Sequence, residues 1–149
     1  MALFSALRQE RRDDAELGKG VWRRVHGRFR RGLDRYHQIL EGAEDDALYN
    51  ELATVANELA DLLPRVRKAC VESQSSFPST GLDVPGSLID VHRALSKAGN
   101  SLAATAESAA MSRLDAERWG VNSAGLENVR RRAEIVAEDV ARAEAVLGL

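Results

Sequence analysis

Arginine is the residue type whose number and spacing most invite a chemical reading. Arg24, Arg28, Arg31 and Arg35 recur at steps of four, three and four, the spacing that stacks side chains on one side of an α-helix. Arg23 and Arg30 broaden the row, and Arg130, Arg131 and Arg132 form a second basic cluster near the C-terminus. A guanidinium stays charged at any physiological pH and grips carboxylate or phosphate with two parallel hydrogen bonds. Arg24, Arg28, Arg31, Arg35, Arg130 and Arg131 are therefore the candidate binding residues. Three readings are open. The row is a solvated face, it docks against an acidic protein surface such as the Glu44–Asp61 side of the second helix in another copy, or it follows a nucleic-acid backbone. A pI of 5.9 and the lack of aromatics among the arginines weigh against nucleic acid.

Catalytic and metal-binding groups do not assemble. Asp34, His37 and Glu41 share a helix face, but di-metal bundles repeat Glu-x-x-His on two helices. Here the motif has Asp and occurs once. His26 and His92 stand alone in sequence, and Cys70 has no imidazole nearby. Gly18-Lys19-Gly20 lacks the spacing of a phosphate-binding loop, and none of Ser73, Ser75, Ser76 and Ser79 lies in a Gly-x-Ser-x-Gly elbow. We expect neither enzymatic activity, nor a cofactor, nor a small-molecule ligand.

The elements that carry these residues read as all-α. Trp22, His26, Phe29, Leu33, Tyr36 and Leu40 line the side of the first helix almost opposite the arginines, each of which follows one of them by two residues (~200°). That helix is expected over 13–41, after acidic residues suited to its N-terminus and with Gly42 as its stop, while Gly18 and Gly20 weaken its first turns by ~1 kcal/mol each and leave a break there open. A second, over 45–73, carries the cleanest seam, Leu48, Leu52, Val55, Leu59, Leu62, Val66 and Ala69, with Pro64 on the outermost position and so a bend rather than a break. Residues 74–86, with two prolines and two glycines, form a long loop that Phe77 and Leu82 are expected to pin across one end. A third helix, 87–119, opens with Ser87 and Asp90 at capping-box spacing. It repeats Leu88, Leu95, Leu102 and Ala109, flanked by small residues that allow close approach. The fourth, 123–147, has Asn122 or Ser123 as its cap and a second seam, Leu126, Val129, Ala133, Val136, Val140, Ala143 and Leu147, widened by Ile135, Ala137 and Ala141. The expectation is one domain, an up-down-up-down antiparallel four-helix bundle with near-heptad seams.

Trp119-Gly120, between two helices, resembles the turn of the WXG family of secreted helical hairpins. That family has a residue between Trp and Gly, and the likeness covers only the turn. The pair is read instead as a Trp covering the bundle end beside a Gly cap.

Length and charge bound the rest. A chain of 149 residues buries about 70% of its unfolded surface. Net charge is −2, yet residues 1–42 hold ten Lys/Arg against six Asp/Glu, while residues 43–73 hold three against seven. Such asymmetry concerns partners and self-association rather than fold. Arginines outnumber lysines eighteen to three, as coding bias in a GC-rich genome would also give. One cysteine excludes an internal disulfide and suits a reducing compartment. With no long apolar run, the expected location is cytoplasmic. Residues 1–14 are a helical extension or a mobile arm. Leu3, Phe4 and Leu7 beside Arg8, Arg11 and Arg12 allow peripheral membrane attachment through residues 1–12 as a third reading. The leading expectation is a non-catalytic protein–protein interaction module, self-associating as a homodimer or binding another protein.

Overall fold

The computed structural model describes residues 2–149, and the described residues form five α-helices and no strand. They are α1 (Ala2–Leu17), α2 (Val21–Glu41), α3 (Asp46–Ser76), α4 (Ile89–Trp119) and α5 (Ser123–Leu147). The expected first helix is thus divided, and the all-α class stands with five helices instead of four. Gly18 takes a positive φ of 70°, open to glycine at little cost. Gly20 then packs so closely on Ser79 that an added Cβ would stand 2.5 Å from the Ser79 carbonyl carbon. The chain reverses there, and α1 returns along α2 and α3.

Every residue of the expected α2 stripe is buried, as are all seven residues of the α3 seam. Leu88, Leu95, Leu102 and Ala109 of the third repeat are buried too, and so are all members of the last seam except the half-buried Leu147. These side chains make one continuous core. Its periodicity is what made the helices legible: burying an apolar stripe is worth about 25 cal/mol per Å², far more than local propensity supplies.

The packing partners depart from the expected antiparallel square. α2 packs against α3 and α4, and α5 packs against the same two, while α3 and α4 touch only lightly. Trp22 meets His92, Arg28 meets Asn100 and Arg113 reaches the Ile39 carbonyl, so α2 and α4 run parallel. Arg65 pairs with Glu144 and Arg130 with Glu51, so α3 and α5 run parallel as well. The cause is the loop 77–85, which leaves the end of α3 and passes the start of α2 before entering α4 through a 3₁₀ turn at Gly86–Leu88. Gly32 lets α2 and α4 approach, since a Cβ there would lie 2.8 Å from Leu102 Cδ2.

Several local expectations change with the geometry. Phe77 and Leu82 do not pin the loop, for Leu82 is 75% exposed and Phe77 is exposed too. Buried Ser79 does so: its hydroxyl accepts from Val21 N at 3.3 Å and donates to the Asp83 carbonyl at 3.2 Å, and its own N–H donates to Gln74 Oε1 at 2.9 Å. The apolar side chains have no concave surface to enter, whereas Ser79 satisfies the free N–H at the first turn of α2. α3 continues without interruption through exposed Pro64. Asp45 caps it, accepting from Leu48 N at 2.9 Å, and Asn122 caps α5 through Ala124 N. The expected capping box at Ser87 and Asp90 does not form, and Asp90 pairs with Arg93 instead. Trp119 does not cover the bundle end either; it is 83% exposed. Ala141 is exposed, and α5 instead buries Asp139, which accepts from Ser101 Oγ at 2.8 Å and pairs with Arg142 and Lys97.

The Gly20–Ser79 contact gives a first prediction. Gly20→Ala pushes a methyl group into the Ser79 backbone, which cannot step aside as a flexible side chain can, so stability falls by about 1–3 kcal/mol. At this chain length that lowers Tm by about 2–4 °C per kcal/mol in thermal unfolding. An unchanged Tm would mean that the loop is not held at this point.

Candidate interaction surface on α2

The side of α2 away from the core carries the arginine row. Arg24, Arg28, Arg31 and Arg35 are all exposed, and among the described residues none has a carboxylate within 4 Å. Eleven residues of helix separate the first from the last, about 17 Å at 1.5 Å per residue. Neutral groups hold two of them in place: Arg24 Nη1 donates to the Gly81 carbonyl at 3.2 Å, and Arg28 donates to the Asn100 side chain. Those bonds orient the guanidinium groups without cancelling their charge.

The other candidate arginines are placed differently. Arg130 bridges Glu51 on α3 and Glu127 on its own helix, so it fastens α5 to α3. Arg131 is exposed and has no ion-pair partner among the described residues, whereas Arg132 lines grooves between α4 and α5. Since α5 is not packed against α2, the two basic clusters lie on separate helices with α4 between them. Arg23, expected to broaden the row, turns instead to Asp14 of α1 at 2.5 Å.

The acidic counterpart is on α3 and in the turn before it. Glu44, Glu58 and Asp61 are exposed and have no ion-pair partner among the described residues, whereas Glu51 is taken by Arg130. Glu58 and Asp61 stand about one turn apart on α3, and Glu44 lies in the turn that precedes the helix.

The remaining titratable groups do not converge. Asp34, His37 and Glu41 are exposed, with His37 Nδ1 donating to the Leu33 carbonyl at 2.8 Å. No group of three His, Cys, Asp or Glu side chains among the described residues has the arrangement of a metal site. Cys70 is fully buried, and burial pushes its thiol up to about 12, leaving little thiolate at neutral pH.

One polar cluster escaped the sequence reading. α1 is fastened to α3 mainly by charge: Arg67 bonds Asp13 at 2.8 Å and Glu16 at 2.7 Å, and Gln9 adds a bond to Asp13. Buried His26 lies beside them, near Arg67, Arg30 and Arg23. Burial lowers the His26 pKa first, and Arg67 lowers it further against the pull of Asp13. Burial alone would raise Asp13, but hydrogen bonds from Arg67 and Gln9 outweigh it and hold the carboxyl below its ordinary value. His92 is lowered by burial as well. Apolar periodicity cannot reveal such a contact, because its residues are charged.

The signs of these shifts fix a pH dependence. A histidine lowered in the fold binds its proton more readily once unfolded, so stability falls as pH drops below about 6.5 toward the folded value. A lowered carboxyl stabilises above about 4, and that contribution is lost as pH falls through the folded value. Tm is therefore expected to decline in two stages on acidification. His26→Gln together with His92→Gln removes the upper stage and leaves the lower; a decline near pH 6 that persists in the double variant would contradict the assignment.

Comparison with protein-family models, with curated proteins and with solved structures finds no match for this chain. Its surface must be read from its own residues.

Proposed function

We propose that the protein is a non-catalytic helical interaction module whose α2 arginine row docks on an acidic protein surface, and that the α3 acidic row of a second copy supplies that surface. What carries the reading is the row itself: four exposed guanidinium groups, two of them held by neutral acceptors, with no carboxylate partner among the described residues. Three exposed acids without an ion-pair partner among the described residues, Glu44, Glu58 and Asp61, stand on the neighbouring helix or in the turn before it. In a two-fold pair each arginine row meets the other copy's acids, so both rows are used twice and the assembly closes. Individual exposed ion pairs contribute well under ~1 kcal/mol. Several acting together give weak, salt-sensitive association that suits a transient partner.

A complementation experiment tests this directly. One variant carries Arg24→Gln, Arg28→Gln, Arg31→Gln and Arg35→Gln; the other carries Glu44→Gln, Glu58→Gln and Asp61→Asn. Neither should self-associate, whereas their mixture regains one of the two contacts and forms a heterodimer of intermediate affinity. A mixture as monomeric as its components would refute the pairing of these two rows.

A phosphate backbone is the second reading, favoured by the same uncompensated guanidinium groups. It requires a mobility shift with duplex or single-stranded nucleic acid at low salt and a steep loss of affinity between ~50 and 200 mM salt. The acidic pI of 5.9 and the acidic row beside the arginines both oppose long-range attraction to such a polymer.

A further inference from the structure

The start of the arginine row borders a cleft with a different chemistry. Val21, Val25 and Leu95 give it an apolar floor, and Leu82 of the long loop stands at its edge. Arg24, Arg28, His92 and Ser96 supply its polar groups, and Gly99 leaves room where a side chain would stand. The Arg28 side chain lies over Gly99, close enough that a Cβ there would be in ordinary contact with its Cδ at 3.6 Å. Among the described residues no acidic one lines the cleft.

We propose that this cleft between the first turns of α2 and α4 binds a small organic acid whose carboxylate adjoins a compact apolar body. The two guanidinium groups each spend one donor on a neutral acceptor, Gly81 O for Arg24 and Asn100 Oδ1 for Arg28. Five N–H donors per guanidinium leave several for a ligand. A carboxylate is the group whose geometry and charge they match. Below them the apolar floor excludes a fully hydrated anion such as phosphate and favours a short hydrocarbon chain or ring. Leu82, 75% exposed in the free protein, gains cover when that body is seated. His92, kept neutral at pH 7 because burial lowers its pKa, adds one donor and one acceptor without adding charge. The volume, about 260 Å³, lies just below the ordinary range of ligand pockets, which limits the occupant to a small molecule. This site goes beyond the docking surface and shares with it only Arg24 and Arg28.

Trp22 provides the reporter, because its ring meets His92 edge-on with centroids 5.8 Å apart. In a Trp119→Phe background it is the only tryptophan. Titration with octanoate or phenylacetate at constant ionic strength should change its emission saturably, with a Kd of about 1 mM, in keeping with so few non-hydrogen atoms. Octanol lacks the charge and acetate the body, so both should bind at least about tenfold more weakly. Arg24→Gln with Arg28→Gln should weaken octanoate at least about tenfold. Ser96→Leu, which fills the cleft and keeps both arginines, should do the same without affecting self-association. Conversely, Arg31→Gln with Arg35→Gln should weaken self-association and leave octanoate binding unchanged, so the two proposals fail separately. Octanol binding as tightly as octanoate, Ser96→Leu binding like the parent, or no saturation by about 20 mM octanoate would each overturn the site.

Discussion

Replacing Arg24, Arg28, Arg31 and Arg35 by glutamine is expected to lower self-association by about ten- to a hundredfold and to leave the fold intact. The magnitude follows from at most three exposed charge pairs in each of the two contacts, each worth a fraction of ~1 kcal/mol, against ~1.4 kcal/mol for each tenfold change in affinity. The fold should survive because all four side chains are exposed and none is tied to a carboxylate among the described residues. Glutamine keeps the helix propensity and much of the stem. Sedimentation gives the association constant and thermal unfolding the Tm. A loss of association accompanied by a Tm drop of ~10 °C would signal a folding defect instead of a lost contact.

The second large effect is in the core. Tyr36→Ala is expected to cost about 3–5 kcal/mol, the range for removing a large buried aromatic side chain, and so to lower Tm by about 10 °C or more. Tyr36 is fully buried, and its hydroxyl donates to the Leu52 carbonyl at 2.9 Å, joining α2 to α3. Tyr36→Phe separates the two contributions. It keeps the ring and loses only that hydrogen bond, while the Leu52 carbonyl keeps its place within helix α3, so the cost is about 1 kcal/mol. Equal losses in the two variants would mean that the hydrogen bond outweighs the packing, contrary to this account.

The parts of the fold legible in the sequence are those governed by apolar repetition. Leu48 to Ala69, and Leu126 to Ala143, could be assigned to buried seams because each helix repeats one face at a fixed spacing. The break at Gly18 and Gly20 was ambiguous: two glycines lower helix stability by only ~1 kcal/mol each. What decides the matter is the fit of Gly20 against Ser79, which lies far along the chain. The docking of α1 was hidden for a different reason, since Asp13, Glu16 and Arg67 look like solvated surface until the two helices meet. Asp139 is similar: a carboxylate is buried only where Ser101, Lys97 and Arg142 are already in place to receive it.

Packing partners were the largest gap. Heptads specify that a helix buries a seam, not which neighbour fills it, and the passage of residues 77–85 from α3 to α4 decided the matter. That passage also explains the candidate sites. The arginine row was legible because it is local to one helix. The cleft beside it was not, because it needs Arg24 and Arg28 of α2, Leu82 of the loop, and His92, Ser96 and Gly99 of α4 in one place. Of the second basic cluster, Arg130 belongs to the α3–α5 junction, which no sequence spacing could have shown.

The central claim, that the arginine row of one copy meets the acids of another, is tested most directly by the mass of the unmodified protein in solution at two salt concentrations. At about 50 mM salt and high protein concentration the mass should rise above the 16.3 kDa of a single chain toward twice that value. At about 500 mM, where the Debye length is only a few ångströms, it should return to that of the single chain. A mass of one chain at both salt concentrations, or a dimer indifferent to salt, would contradict the account.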